Sequence, residues 1–325
     1  MHLKGRIKNL SILILRIAFS LGLIIFLFYK FDFAKTLLVI KKADLNYFIF
    51  VLLLTFFVNF LLLLRWYMLI KACGIKIPFK RIVVAFCGGI FFNLFLPSAA
   101  GGDIVRSIAL FGQTKERAKV VASVILDRLS GFISIAIIAS ISLFIGFKLV
   151  NDSSILLILA IVLLSLFSLT LILFNSTIFS KFSKAFIRFK GIKLKLENLH
   201  NSIKVYRHKY KVIFANILLS FISQLISIFS FFLIAKSLHT HIDFIYFFIF
   251  VPLIFAISII PISIGGLGVR DGSFIFLFSK VGVSPNISLS ISLINFFTLL
   301  ISGIVGGIIY VCSLYLRRLQ YRKTN

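Results

Sequence analysis

Pro97-Ser98-Ala99-Ala100-Gly101-Gly102-Asp103-Ile104-Val105-Arg106 interrupts an apolar region that otherwise runs from about residue 79 to 112. A proline ends the helical turns before it, and paired glycines cannot hold a helix against their entropy cost. The stretch therefore predicts two short helices joined by irregular backbone. A second apolar region, 244–282, is broken in the same way by Pro261-Ile262-Ser263-Ile264-Gly265-Gly266-Leu267-Gly268-Val269-Arg270. Proline, both glycines, valine and arginine recur at identical spacing, 164 positions apart, close to half the chain. Irregular backbone at membrane depth is tolerated only where it is buried in protein or lines a watery cavity.

The runs around these breaks decide what kind of molecule carries them. Uninterrupted apolar runs fall at 10–29, 46–70, 118–147, 154–175, 212–236 and 285–315. Hydrophobic residues make up 60% of the 325 and mean hydropathy is +1.11, so there is no polar shell for a water-soluble domain. Runs of about 20 residues cross a hydrocarbon core of about 30 Å. Lipid requires each backbone amide to be satisfied within its own segment, which selects helices; the alternation of a membrane β-barrel is missing. The expected fold is an all-α, polytopic membrane bundle of six to eight spans, one integral domain over residues 1–325. The 164-residue offset carries 46–70 onto 210–234 and 118–147 onto 282–311, predicting repeat halves 10–147 and 154–315. Three crossings in each half invert the second relative to the first. Inverted repeats with discontinuous helices near the midplane are the plan of many secondary transporters.

Charge sets the orientation. Lys and Arg number 36 against 9 Asp and Glu, a net +27. They sit mostly at the ends of apolar runs, where topology and anionic headgroups account for them, and no nucleic acid partner is expected. The segment 176–211 carries Lys181, Lys184, Arg188, Lys190, Lys193, Lys195, Lys204, Arg207, Lys209 and Lys211, opposed only by Glu197. Alternating with Phe179, Phe182, Phe186, Phe189 and Ile192, it reads as an interfacial helix on the cytoplasmic leaflet. The N-terminus, the 71–81 loop and the tail with Arg317, Arg318, Arg322 and Lys323 are also basic. All four face the cytoplasm together if both interrupted regions are re-entrant hairpins, giving six crossings. The 30–42 loop with its lysines then lies outside. Should 244–260 cross fully, 272–283 must cross too, giving eight. Lys4, Arg6 and Lys8 imitate a secretory signal, but no small-residue cleavage site follows, so an uncleaved first span is expected. The expected location is the cell (plasma) membrane, with both termini cytoplasmic.

Several charges stand inside or beside the membrane-depth segments: Asp103 and Arg106 after the first break, Asp127 and Arg128 within 118–147, Arg270 and Asp271 after the second. Each costs on the order of 3 kcal/mol near the bilayer centre by the mild insertion scales. One reading is mutual pairing that staples helices. The other is that Arg106, Arg128 and Arg270 hold an anionic headgroup, with Asp103, Asp127 and Asp271 orienting them or carrying protons. Half-helices beginning near Gly102 and Gly266 would aim amides at a phosphate or carboxylate. Asn93, just before the first break, is a candidate lining residue. Arg65, before Trp66-Tyr67, reads as snorkelling to the interface. Asn59, Gln224, Asn295 and Asn93 itself also read as interhelical hydrogen-bonding groups. Cys73, Cys87 and Cys312 are too far apart to suggest a disulfide framework or zinc site, and His239 and His241 read as a solvated loop. No nucleophile elbow, nucleotide loop or metal cluster is present, so neither catalytic residues nor a cofactor are expected.

Pro97–Arg106, Asp127–Gly131 and Pro261–Asp271 resemble the three signature regions of the lysylphosphatidylglycerol synthase transmembrane-region family, a flippase-like group of membrane proteins. The resemblance covers essentially the whole chain. It implies translocation of a lipid or lipid-linked headgroup. In the family's best-known members a similar membrane domain precedes a cytosolic domain that attaches an amino acid to phosphatidylglycerol. The chain stops a few residues after its last span, so that activity is not expected. The implied partners are anionic membrane lipids and, as an alternative role, a separate glycosyl- or acyltransferase. A membrane-embedded lipid-modifying enzyme is the other alternative.

Overall fold

The structure is a computed structural model that describes residues 33–96, 101–146, 164, 198–199, 201–258 and 268–324. The expected span 10–29, the span 154–175 apart from Leu164, the segment 176–197, and the break residues Pro97, Pro261, Gly265 and Gly266 lie outside these. Among the described residues every regular element is helical: α1 (Phe33–Lys41), α2 (Leu45–Ala72), α3 (Phe79–Asn93), α4 (Gly101–Phe111), α5 (Arg117–Gly146), a 3-10 turn (Val205–His208), α6 (Tyr210–Ser237), α7 (Phe244–Ser258), α8 (Val269–Ser279) and α9 (Pro285–Thr324). The chain is a polytopic helical membrane protein. Among the described residues four helices, α2, α5, α6 and α9, are long and apolar enough to cross a membrane. Leu53, Phe57 and Phe60 stand exposed on α2. In water such a surface would drive association, whereas hydrocarbon solvates it.

Helix lengths repeat in order. α2 to α5 have 28, 15, 11 and 30 residues, and α6 to α9 have 28, 15, 11 and 40. Each apolar region with a proline–glycine break has become a pair of short helices, as backbone chemistry predicts. The 30–42 stretch is a correction. Its residues 33–41 form α1 rather than a loop: the apolar run Leu37-Leu38-Val39-Ile40, which four scattered lysines obscure, is helical, and the helix buries Thr36.

Local signals fix the ends. Asp44 caps α2 through its Oδ1, which accepts from the Asn46 amide at 2.8 Å. α2 ends at Gly74 in the left-handed region, and Pro78 precedes α3. His239 closes α6 with a φ of 57° and stands exposed with His241, in keeping with a loop. α9 opens on Pro285, the position where a missing N–H costs nothing.

The chain packs as two compact units that interleave along the sequence. One takes the described parts of Met1–Phe56, Phe86–Val105 and Ser227–Asn325, and the other those of Phe57–Ala85 and Arg106–Ile226. In the first, α8 packs on α7 and α9, and α9 packs on α1. Its core is aromatic: Phe274 and Phe278 stack with centroids 5.2 Å apart, and Phe231 and Phe247 close around them at 5.0 and 4.9 Å. The second unit is stitched by polar groups. Trp66 is fully buried and donates its indole N–H to Ser123 at 3.1 Å.

The 3-10 turn is tied to the end of α2 within this second unit. Tyr206 donates to the Leu69 carbonyl at 2.8 Å, and the Cys73 thiol donates to the Tyr206 oxygen at 2.8 Å. Burial pushes both the Cys73 thiol and the Tyr206 phenol above their ordinary ranges, so both stay neutral at physiological pH. Tyr206→Phe removes a buried donor and the thiol's acceptor together, a loss of about 1–3 kcal/mol. The expected result is faster maleimide labelling of Cys73 in intact membranes. Labelling at the wild-type rate would mean the tie does not hold the turn in place.

Candidate substrate-binding charges

Within the second unit, four polar side chains from four helices meet. Arg65 of α2 places Nε 2.6 Å from Asp127 Oδ1, and Arg106 of α4 places Nη2 2.9 Å from Asp127 Oδ2. One carboxylate on α5 thus bridges two guanidiniums. Arg65 also donates from Nη1 to Ser220 Oγ on α6 at 2.7 Å. Asn216 donates to the Arg65 carbonyl at 2.9 Å and accepts from Ser130 at 2.5 Å. The Arg106 guanidinium lies over the Trp66 ring, 4.7 Å from its centroid. Arg65 and Trp66, adjacent on α2, therefore both act on Arg106, one through Asp127 and one through its ring.

Arg65 is only 6% exposed, which corrects the expectation that it snorkels to the interface. Its long stem turns inward, where Asp127 and Ser220 supply two good acceptors inside the unit. Asp127 is 2% exposed, so the pair is desolvated and geometry must supply what water would have given. Ser130, Asn216 and Ser220 complete that geometry, and sequence reading had passed over them. The available signal was a helical stripe, Ser123, Asp127, Ser130 and Ser134 on α5, with Asn216, Ser220 and Ser223 on α6. Serines in such helices commonly bond their own backbone, as Ser134 does to Ser130 O at 2.9 Å, so the stripe alone does not reveal a network.

The first unit holds the second cluster. Arg270 donates from Nε to Ser292 Oγ at 3.1 Å and from Nη2 to Asp271 Oδ1 at 3.2 Å. Ser292 donates to the same Asp271 oxygen at 2.5 Å, and the Gly268 amide donates to Asp271 Oδ2 at 2.9 Å. Gly268 has a φ of 82°, which a side chain would resist, and it turns the chain into α8. Arg270 Cζ lies 5.7 Å from the Phe296 centroid. The clusters follow one design. The arginine after each break reaches a polar side chain on the next long helix, Asp127 at 21 residues and Ser292 at 22, and rests beside an aromatic ring.

Around the first break, Asn93 does more than line a space. Its Oδ1 accepts from the Gly102 amide at 2.9 Å, so the last residue of α3 caps the first turn of α4. The amides expected to face a ligand are partly taken: Gly102 by Asn93 and Gly268 by Asp271. Gly101, Gly102 and Asp103 are buried at the start of α4, and Arg128, half-buried, lies beside Asp127 on α5. Arg106, Asp127, Arg270 and Asp271 are thus gathered into two clusters, with Arg65 and Ser292 added. Among the described residues no group of three His, Cys, Asp or Glu is arranged to hold a metal ion.

Two relatives share most of this length. A UPF0104 membrane protein of Methanothermobacter thermautotrophicus is 25% identical over 276 residues, covering 79% of this chain and 82% of that protein. A UPF0104 membrane protein of Pyrococcus horikoshii is 22% identical over 320 residues, covering 91% of this chain and 95% of that one. The lysylphosphatidylglycerol synthase TM region matches residues 13–307, spanning both breaks and both charge clusters. The chain belongs to the lysylphosphatidylglycerol synthase transmembrane-region family.

Proposed function

We propose that this protein carries an anionic phospholipid or a lipid-linked headgroup from one leaflet of the cell membrane to the other. Both termini face the cytoplasm, and the two halves are inverted repeats. Family membership supports a lipid-related role. The observation that carries the reading is the placement of Arg106 and Arg270: each is buried, each follows a helix break, and each meets polar groups on the next long helix. Ionised groups within lipid are costly and are kept where a charged substrate must pass. Broken helices supply the backbone donors and acceptors that continuous helices consume internally. The protein works without a cofactor and without covalent chemistry, since headgroup transfer across a bilayer needs only a path and a charge partner.

Reconstituted vesicles test this. Fluorescent phosphatidylglycerol should cross faster in vesicles with wild-type protein than in protein-free ones. Arg106→Ala should lower the rate by roughly tenfold or more, the equivalent of one lost charged hydrogen bond. Wild-type rates equal to those of empty liposomes, for anionic phospholipids and polyprenyl phosphates alike, would sink the proposal. A new lipid species in mass spectra of the same vesicles or host cells would point instead to a lipid-modifying enzyme.

A further inference from the structure

Both arginines that follow the breaks are held by a carboxylate, and in both clusters donors converge on each of its two oxygens. Asp127 takes Arg65 on Oδ1 and Arg106 on Oδ2. Asp271 takes Arg270 and Ser292 on Oδ1 and the Gly268 amide on Oδ2. Two oxygens on one anionic centre are also what the non-bridging oxygens of a phosphodiester present. Guanidinium forks, hydroxyls and amides at a helix start are the donors that phosphate oxygens accept from.

We propose that Asp127 and Asp271 are resident counterions standing where a phosphodiester headgroup binds, and that each exchanges with that headgroup. Arg65 then becomes a ligand beside Arg106. The proposal rests on the transport reading above and names the chemistry that its site recognises. Buried arginines cannot stand unpaired in a lipid-facing protein, so a site for an anion must be filled between turnovers. A tethered carboxylate fills it at no loss of fold. Arg65 keeps its Ser220 tether when Asp127 leaves, so the donors stay in place for the incoming anion. In the second cluster, displacement of Asp271 also frees the Gly268 amide and opens the first turn of α8. Headgroup binding there is coupled to a change in the backbone beside the break.

Trp66 is the one tryptophan of the chain and its ring faces Arg106, so its fluorescence reports on the first cluster. The purified full-length protein in neutral detergent is titrated with dihexanoyl phosphatidylglycerol, glycerol 3-phosphate and dihexanoylglycerol, with calorimetry in parallel. The two phosphate compounds should give saturable signals, and dihexanoylglycerol none. Asp127→Asn weakens the internal competitor while keeping its shape, so its midpoint for dihexanoyl phosphatidylglycerol should fall roughly tenfold. Asp271→Asn, read by calorimetry, should tighten binding likewise, and it stands as an independent arm should Asp127→Asn lower the melting temperature. A purely structural role for the carboxylates predicts weaker or unchanged binding in both variants, and that result overturns the proposal. An equal response to dihexanoylglycerol overturns it too. Wild-type flipping without tighter binding in either variant removes the exchange and leaves transport standing. Tighter binding without wild-type flipping does the reverse.

Discussion

Asp127→Ala is expected to cost about 3–5 kcal/mol, because it leaves two desolvated guanidiniums facing each other without a shared anion. Arg65 Nε and Arg106 Nη2 each take one oxygen of the same carboxylate, so its loss converts two attractions into one repulsion. The measurement is the thermal unfolding midpoint in detergent, with folded yield from membranes as a second readout. The informative control replaces the whole triad, Arg65→Leu with Asp127→Leu and Arg106→Leu. Removing both members of a buried pair is often neutral, since no charge remains to be desolvated. The triple variant should therefore melt higher than Asp127→Ala and yet move no lipid. If Asp127→Ala melts at the wild-type temperature, the carboxylate is not what holds these arginines inside.

That contrast also explains what could be read from the sequence and what could not. The breaks were legible because Pro97, Gly101 and Gly102, like Pro261, Gly265 and Gly266, act through backbone chemistry that belongs to the residue itself. The long spans α2, α5, α6 and α9 were legible because hydropathy over about 20 residues needs no tertiary context. The pairing of Arg106 with Asp127 was open to two readings, since a charge at membrane depth needs a partner but does not name it. Arg65 was misread because an arginine beside Trp66 and Tyr67 has the composition of an interface anchor. Only the fold reveals that Ser220, 155 residues away, waits as its second acceptor. Asn93 was open to two readings as well, and the fold adds a partner for it. Its neighbour in function is the Gly102 amide across the break, and amide side chains near helix ends have many possible partners. Ser292 carries no charge and gave no signal, although it receives Arg270 on α9 as Asp127 receives Arg106 on α5.

Gly102→Ala should be the most damaging single methyl group added at any of the described glycines. A Cβ at Gly102 would press on the Gly89 carbonyl oxygen and lie 2.6 Å from the Asn93 amide group. The first of these is backbone in the middle of α3, which cannot swing aside as a side-chain tip can. Overpacking of a rigid contact costs about 1–3 kcal/mol. The same methyl displaces Asn93 from the Gly102 amide, a cap whose loss is worth roughly 0.5–2 kcal/mol. The two costs act on one joint and together reach about 2–5 kcal/mol. Asn93→Ala loses only the cap and leaves the helices free to approach, so it should lower the melting temperature by well under half as much. The order of the two variants carries the conclusion. If Asn93→Ala proves as harmful as Gly102→Ala, the hydrogen bond sets the geometry of the first break. If Gly102→Ala is far worse, the close passage of α4 over Gly89 sets it, and the paired glycines are there chiefly to let two half-helices touch. Transport rates measured on the same proteins then separate stability from mechanism. A Gly102→Ala protein that still folds but holds Arg106 in a shifted place should flip lipid at a rate close to that of Arg106→Ala.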